Sequence, residues 1–207
     1  MKIHDCIQGS PEWHLLRLGM VTGSRFKDAQ AQNRQKTGPG ETSIKYMAEL
    51  IAERIKLEPA ESYTSEAMQW GTATESEARM HYQEATDNIV TQVGFVQRDE
   101  YVGCSPDGLV GSDGMVEIKC PNSATHLKYV MIGGLPRDYE VQVQGNLWVC
   151  ERQWCDFVSY DPRLEHSFYY KFRVERDDEY IAKLESKIDM FVTEMQKELE
   201  KLTFSPF

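Results

Sequence analysis

Apolar and polar residues follow two different periods along this chain, and the change of period predicts the order of its elements. In several segments of residues 1–87, and again from residue 177 onward, apolar residues recur every three or four positions, which is typical of amphipathic helices. Between residues 88 and 174, short apolar runs bounded by turn-forming residues indicate strands, with two helical stretches among them. We therefore expect one domain over 1–207 with an α/β (α+β) fold: a helical N-terminal region (1–87), a sheet-containing core (88–174) and a C-terminal helix (177–202).

Capping residues place two short helices near the N-terminus. A Ser-Pro-Glu sequence at 10–12 can begin the first helix and Gly19 can end it, which puts Arg17 on this helix. Thr22 or Ser24 can cap a second helix.

A loop and a longer helix are expected next. Residues 32–41 lack periodicity and contain Gly-Pro-Gly, which predicts a mobile loop. The helix over 43–57 ends before Pro59. Its predicted apolar stripe comprises Ile44, Met47, Ala48, Ile51 and Ile55.

An acidic residue interrupts the apolar stripe of the helix predicted over 65–84. Glu75 lies at the centre of a stripe that begins at Met68 and continues through Ala78 and Tyr82. Burying a carboxylate without a partner is unfavourable, so Glu75 should meet a cation or a hydrogen-bonding network. An ordinary ion pair with Arg79 or a lysine is the alternative interpretation.

The second half of the chain supplies the sheet. The C-terminal helix carries an apolar stripe that runs through Ile181, Leu184, Ile188, Phe191, Met195 and Leu199. The predicted segments before it are strand-like residues 88–119, helices over 122–132 and 136–150, and strands over 154–160 and 168–174.

Two acidic residues and a lysine fall within one predicted hairpin. Asp107 and the Glu117-Ile118-Lys119 triplet flank a turn-forming Gly-Ser-Asp-Gly sequence. If the turn is centred on Ser112, Asp107 lies opposite Glu117, with Cβ atoms roughly 5 Å apart. These like charges repel unless a divalent cation lies between them, and Mg²⁺ favours one or two carboxylates together with water and phosphate oxygens. Taken alone, the same residues could be an ordinary turn and a solvated strand face.

Charge and composition narrow the candidate functions. The formal net charge of −10 argues against nucleic-acid binding over the whole surface, although cationic residues in the first third permit a local basic patch. No segment is apolar enough to predict a membrane helix, so we expect a cytoplasmic protein without membrane contact. Five cysteines without a C-x-x-C pair indicate reduced thiols. The histidine spacing does not favour zinc, and no phosphate-binding P-loop is present in the sequence.

The hairpin resembles the PD-(D/E)xK nuclease signature, and its surroundings resemble the lambda-type alkaline exonucleases of the YqaJ-like viral recombinase family. Further family-like motifs occur in the same order and cover nearly the whole chain. The resemblance implies a restriction-endonuclease-like core, in which a central mixed β-sheet is flanked by helices. The family-like motifs are Trp13-His14, Arg17-Leu18-Gly19, Thr22, Ser24, Trp70-Gly71, Glu75, Gln142-Val143-Gln144, Trp148 and Tyr160-Asp161-Pro162-Arg163.

The resemblance also implies roles for individual residues. Asp107, Glu117 and the carbonyl of Ile118 would bind a first Mg²⁺, and Glu75 would complete the shell of a second, with Mn²⁺ as an alternative ion. Lys119 would orient or help deprotonate the attacking water.

Three more residues have roles implied by the family. Gln142 would contact the water or the scissile phosphate, although an exposed helix amide is the plain alternative. Arg17 and Ser24 would hold the terminal 5′-phosphate of the strand being degraded.

The implied activity is Mg²⁺-dependent, processive 5′-to-3′ degradation of double-stranded DNA. Its products would be 5′-mononucleotides and 3′ tails for a single-strand annealing protein. The resemblance further implies a ring-shaped homotrimer that encloses DNA with 5′-phosphorylated ends, and a phage or prophage origin in a bacterial host. The alternatives are a structure- or sequence-selective endonuclease of the same superfamily and a catalytically inactive DNA-binding scaffold.

Overall fold

The computed structural model describes residues 1–59 and 65–204, without the side chains of residues 67, 68 and 204. Its described elements begin mainly with helices, continue with a run of five short strands, and end with helices and two longer strands before the last helix. None of these helices is both long and apolar enough to span a membrane. The helices are α1 (Pro11–Leu16), α2 (Phe26–Ala29), α3 (Glu41–Lys56), α4 (Glu66–Thr86), α5 (Ser123–Ile132), α6 (Glu140–Val149) and α7 (Asp178–Phe204). The strands are β1 (Lys2–His4), β2 (Val21–Thr22), β3 (Val90–Thr91), β4 (Phe95–Gln97), β5 (Val102–Cys104), β6 (Gly108–Val110), β7 (Gly114–Lys119), β8 (Trp154–Tyr160) and β9 (Tyr169–Glu175).

The strands form two mixed sheets within the described residues. The five-stranded sheet has the order β3-β6-β7-β8-β9, with β7 and β8 parallel and the other neighbours antiparallel. This sheet confirms the predicted mixed sheet. A four-stranded sheet of order β1-β4-β5-β2 was not expected. Strands β1 and β2 have only three and two residues, which is too short for a clear alternating pattern within a region assigned to helices.

The β6–β7 hairpin has the register predicted from its turn. Gly108 pairs with Val116 and Val110 pairs with Gly114, so that the register continues to place Asp107 opposite Glu117. Gly111 adopts a positive φ of 55°, a conformation that glycine reaches without a steric penalty. The turn chemistry therefore fixes which carboxylates face each other.

Strand β7 separates two hydrophobic clusters. Met115 belongs to the larger cluster, which includes residues of α2, α3, α6 and α7. Val116 and Ile118 point to the opposite face and pack with Ala78 and Tyr82 of α4. Both faces of the strand are thus covered, and its polar residues are enclosed rather than solvated.

Helix α7 buries the predicted stripe from Ile181 to Met195, and Leu199 packs partly against the same cluster. In α3 the predicted stripe was partly wrong, because Ile44 and Ile55 are each 50% exposed. The buried side of α3 instead contains Ser43, which donates to Ala29 O at 2.9 Å. Polar side chains with buried partners thus set the rotation of this helix.

Three local predictions in the N-terminal region meet different outcomes. Ser10 caps α1 by accepting a hydrogen bond from the Trp13 amide, as predicted. The predicted second helix is a 3-10 turn, Gly23–Arg25, followed by the four-residue α2, and Thr22 makes no side-chain cap there. The segment predicted as a mobile loop is closed by a bridge between Gln32 and Pro39.

The five cysteines are free thiols. Cys104 and Cys150 place their sulfur atoms 3.4 Å apart in the buried interior. Burial is the main cause that raises the pKa of Cys104, Cys120 and Cys155, so these thiols are poor nucleophiles.

Candidate active site

Asp107 and Glu117 meet where the hairpin enters the five-stranded sheet. Asp107 immediately precedes β6, and its Oδ2 accepts a 2.6 Å hydrogen bond from the backbone amide of Ile118. Glu117 lies on β7 and is only 1% exposed. The structure thus brings together the two carboxylates that the sequence predicted to face each other.

Three of the side chains that the structure describes donate hydrogen bonds to Glu117. Lys119 Nζ lies 2.5 Å from Oε1, and Gln142 Nε2 donates to the same oxygen at 2.6 Å. Asn146 Nδ2 donates to Oε2 at 3.2 Å. Gln142 and Asn146 are four residues apart on α6 and therefore share one face of the helix. Gln142 is not the exposed amide of the plain alternative.

The electrostatics of the pair reflect its enclosure. Burial and the negative charge of Glu117 raise the pKa of Asp107 well above its usual range, against the opposing charge of Lys119. Burial favours the neutral form of Lys119, but the charges of Glu117 and Asp107 outweigh this effect and raise its pKa. Lys119 is therefore an ammonium group that can donate hydrogen bonds but cannot accept a proton in this arrangement.

Glu75 lies on α4 close to this pair. Its charge contributes to the raised pKa of Asp107, which places it within electrostatic range of that carboxylate. It also forms the ion pair with Arg79 that the sequence left open, with Nη2 and Oε1 2.6 Å apart. Glu75 is thus paired with Arg79, and its charge also acts on Asp107.

Contacts with the end of β8 hold α4 in position. Tyr160 donates to Glu77 Oε1 at 2.8 Å, and the guanidinium of Arg163 lies 4.3 Å from the centre of the Trp70 ring. These residues belong to two motifs far apart in the sequence. Their contact fixes the helix that carries Glu75 against the sheet.

Arg17 is connected to the segment that precedes Asp107. Its Nη1 donates to Ser105 Oγ at 3.0 Å, and its guanidinium lies 3.9 Å from the centre of the Trp13 ring. Trp13 Nε1 donates to the same hydroxyl at 2.8 Å. Burial lowers the pKa of Arg17, although this group stays charged because its ordinary pKa is so high.

Ser24 does not join this group of contacts. It is exposed on the 3-10 turn Gly23–Arg25, and no hydrogen bond links it to Arg17 among the described residues. The adjacent Gly23 packs against Asn146, so the turn itself lies beside the carboxylate site.

The donor chemistry fits a hard divalent cation. Within ranges 1–59 and 65–204, no three acidic, histidine or cysteine side chains converge closely enough to enclose an ion unaided. Asp107 and Glu117 instead offer two facing carboxylates, which the hairpin register places opposite each other. Mg²⁺ is commonly held by one or two carboxylates with water in its other positions. Burial and the negative charge of Glu117 raise the pKa of Asp107, and a bound cation would offset the repulsion between the two carboxylates.

Sequence reasoning gave no role to three residues of this region. Asn146 contacts Glu117, Ser105 contacts Arg17, and the Tyr139 ring centre lies 5.4 Å from Lys119 Nζ. A signal was present for Asn146, because it occurs four residues after Gln142 and so lies on the same face of the predicted helix. No comparable signal exists for a contact between distant segments such as Ser105 and Arg17.

The mixed sheet and its carboxylate–lysine hairpin define the chain as a nuclease of the PD-(D/E)xK class. The YqaJ-like viral recombinase domain matches residues 12–153, which is more than half of the chain. The chain therefore belongs to the YqaJ-like viral recombinase family, which includes the lambda-type alkaline exonucleases.

Solved structures support this assignment. The alkaline exonuclease from Laribacter hongkongensis is 40% identical and superposes with a TM-score of 0.85, over 93% of this chain and 96% of that one. The same exonuclease in complex with dAMP gives a TM-score of 0.86 with the same identity and coverage. A phage-related exonuclease from Haemophilus somnus 129PT, 17% identical with a TM-score of 0.67 over 88% of this chain and 94% of that one, shares the fold.

A short relative is found in Escherichia coli K12. The protein named ExoD is 29% identical over 66 residues, which are 32% of this chain and 76% of that protein.

Proposed function

We propose that this protein is a Mg²⁺-dependent exonuclease that degrades double-stranded DNA from 5′ to 3′. It releases 5′-mononucleotides processively and leaves 3′ single-stranded tails for annealing recombination. Mn²⁺ would replace Mg²⁺. The observation that carries this proposal is the facing pair of carboxylates, the half-buried Asp107 and the buried Glu117, with the Lys119 ammonium group 2.5 Å from Glu117.

Asp107, Glu117 and the Ile118 carbonyl would bind the first ion, and Glu75 would contribute to a second. A divalent ion bound there would supply a Lewis acid for the phosphate and a water of lowered pKa. The support for this donor set is the crowding of negative charge around Asp107. The ion pair of Glu75 with Arg79 would have to open for Glu75 to take part.

Lys119 and Gln142 would position the reacting groups. Lys119 is charged in the structure, which favours donation to the attacking water or a phosphate oxygen over general-base catalysis. Gln142 donates to Glu117 at 2.6 Å and lies on the same side of the site. Its amide can thus restrain the carboxylate or turn to the substrate.

Arg17 and Ser24 would recognise the terminal 5′-phosphate. The Arg17 guanidinium stacks on Trp13 and is held beside the hairpin by Ser105, so its planar fork is oriented before substrate binds. Ser24 would have to reach the phosphate from its exposed turn. A phosphate held near the carboxylates by its terminal oxygen atoms sets the direction of degradation.

The product class and the assembly are further parts of the proposal. The complex of the Laribacter hongkongensis exonuclease with dAMP supports a deoxynucleoside monophosphate as the product. A homotrimeric ring around DNA, as the family resemblance implies, would reconcile processive DNA binding with a net charge of −10. A single-strand annealing protein would be the partner that receives the 3′ tails.

The test uses four DNA substrates with Mg²⁺: linear duplexes with a 5′-phosphate or a 5′-hydroxyl, single strands, and closed circles. We expect mononucleotides from the phosphorylated duplex, a slower reaction from the hydroxyl end and none from the circle. Nicking of closed circles without mononucleotide release would identify an endonuclease instead. Binding without cleavage of any substrate would identify an inactive scaffold.

A further inference from the structure

Asn146 occupies an unusual position for an asparagine. It lies on α6 in the interior, 1% exposed, between apolar neighbours of the larger hydrophobic cluster. Its amide nitrogen donates to Glu117 Oε2 at 3.2 Å. Its amide oxygen has no hydrogen-bond partner in the part of the chain that the structure describes. Because a carboxylate only accepts hydrogen bonds, the amide must present its nitrogen to Glu117 and leave its oxygen on the other side.

A buried oxygen without a hydrogen bond makes asparagine less stabilising at this position than an apolar residue would be. An apolar side chain of similar size would fill the same space without burying an amide. Residues that lower stability in this way are found at functional sites, where another requirement retains them. The contact with Glu117 is the interaction that distinguishes Asn146 from an apolar residue.

The 3-10 turn makes room for this side chain. A Cβ atom on Gly23 would lie 2.0 Å from Asn146 Oδ1, closer than any two such atoms can approach. Only glycine at position 23 therefore leaves Asn146 in its observed place. Gly23 directly precedes Ser24, so Asn146 lies between Glu117 and the turn that carries Ser24.

The three donors around Glu117 divide its oxygens between them. Among the side chains that the structure describes, Lys119 and Gln142 both donate to Oε1, and Asn146 alone donates to Oε2. A carboxylate has about four acceptor positions, so one remains on Oε2. Asn146 is the group that fixes the direction of this oxygen.

We propose that Asn146 is a positioning residue that orients Glu117 Oε2 for divalent-cation binding, in a space kept open by Gly23. This inference rests on the proposed function, because it concerns the carboxylate assigned to the metal. Partners that orient a metal ligand in this way change metal affinity by about 10–100-fold when they are removed.

The experiment measures Mn²⁺ binding to the full chain without DNA, by electron paramagnetic resonance of the free ion. Asn146→Ala removes the donor, and Asn146→Leu removes it while keeping a side chain that branches at Cγ. The matched control is Gln144→Ala, since Gln144 is another buried amide of α6, whose contacts are Glu175 O and the Asp177 amide. Thermal melting of all variants is recorded in parallel.

We expect Asn146→Ala and Asn146→Leu to weaken Mn²⁺ binding about 10–100-fold. Gln144→Ala should lower the melting temperature without changing Mn²⁺ affinity. Gly23→Ala should weaken Mn²⁺ binding in the wild-type background. It should have little further effect in the Asn146→Ala background, because the amide oxygen that the new Cβ would contact is then absent.

Two results would overturn the inference. If both Asn146 variants bind Mn²⁺ as the wild type does, and binding is still lost in Asp107→Ala, Asn146 is a packing residue and the proposed function stands. If the wild type itself does not bind Mn²⁺, or binds it equally without Asp107, the proposed metal site fails and the role of Asn146 fails with it. Should Asn146→Ala not fold, Asn146→Leu and Gly23→Ala give the same decision.

Discussion

The backbone amide of Ile118 donates a 2.6 Å hydrogen bond to Asp107 Oδ2, which fixes an acid of one hairpin strand to the backbone of the other. Glu117, the residue before Ile118, is thereby held opposite Asp107. The hairpin register brings the two carboxylates close to each other. Their repulsion therefore lowers the stability of the folded protein.

Asp107→Asn should abolish activity and stabilise the protein in the absence of metal. Its amide oxygen can still accept from Ile118, but the repulsion with Glu117 disappears. We expect turnover to fall on the order of 10³-fold or more, since metal-ion stabilisation contributes several kcal/mol. Urea unfolding at neutral pH in a chelator should show a higher free energy of unfolding for the variant. An unchanged or lower value would contradict the proposed repulsion.

Arg17→Lys should reduce the preference for phosphorylated DNA ends. Lysine keeps the charge but lacks the planar fork and the stacking on Trp13. The measurement is the ratio of initial rates on duplexes with a 5′-phosphate and a 5′-hydroxyl, which should decrease about 10-fold or more. Arg98→Ala is the matched control, because Arg98 also lies over a tryptophan, 4.5 Å from the Trp148 ring centre, but pairs with Glu185. An equal decrease in both variants would remove the specific role of Arg17.

Glu75→Gln tests whether this acid contributes to catalysis or only to its ion pair. A catalytic contribution predicts that turnover falls about 10²-fold while the melting temperature changes little, because the glutamine amide oxygen can still accept the hydrogen bond from Arg79. Glu77→Gln is the control on the same helix, since Glu77 accepts from Tyr160 instead. Wild-type turnover in Glu75→Gln would leave the Arg79 ion pair as the whole role of Glu75.

Asp156 gives a prediction for stability and pH. Arg173 donates to both of its oxygens at 2.8 and 2.9 Å, and Tyr82 donates at 2.8 Å. Burial alone would raise its pKa, but these hydrogen bonds, together with the charges of Lys171 and Arg173, outweigh burial and lower it. Stability from this carboxylate is therefore present above its unfolded pKa of roughly 4 and lost as the pH falls towards the lower folded value.

We therefore expect Asp156→Asn to reduce the free energy of unfolding by about 2–3 kcal/mol at pH 7, with a smaller difference at pH 3. Urea unfolding at both pH values provides the measurement. Asp178→Asn serves as the control, because Asp178 pairs with Arg176 on the surface and should change stability by less than about 0.5 kcal/mol. A difference that grows on acidification would contradict the lowered pKa of Asp156.

The site could be predicted from the sequence where short-range chemistry determines it. A turn centred on Ser112 fixes the hairpin register, and this register alone brings Asp107 opposite Glu117. The buried stripe of α7 could also be predicted from the sequence, because its apolar residues recur at helical spacing on one face.

Contacts between segments that are distant in the sequence could not be predicted from local patterns. Asn146 reaches Glu117 only because α6 packs against the sheet, which no local pattern specifies. The rotation of α3 follows from hydrogen bonds such as that of Tyr46, which accepts from the Thr22 amide at 3.2 Å. The face of α3 that contains Ile44 and Ile55 is also apolar, so the sequence pattern alone did not show which face is buried.

The most direct test of the metal site is anomalous diffraction from crystals soaked in Mn²⁺. The proposal predicts an anomalous peak between the carboxylates of Asp107 and Glu117, roughly 2–2.5 Å from an oxygen of each, which is absent from crystals of Asp107→Asn. A wild-type crystal at high Mn²⁺ concentration with the two carboxylates in their present positions and no peak between them would contradict it.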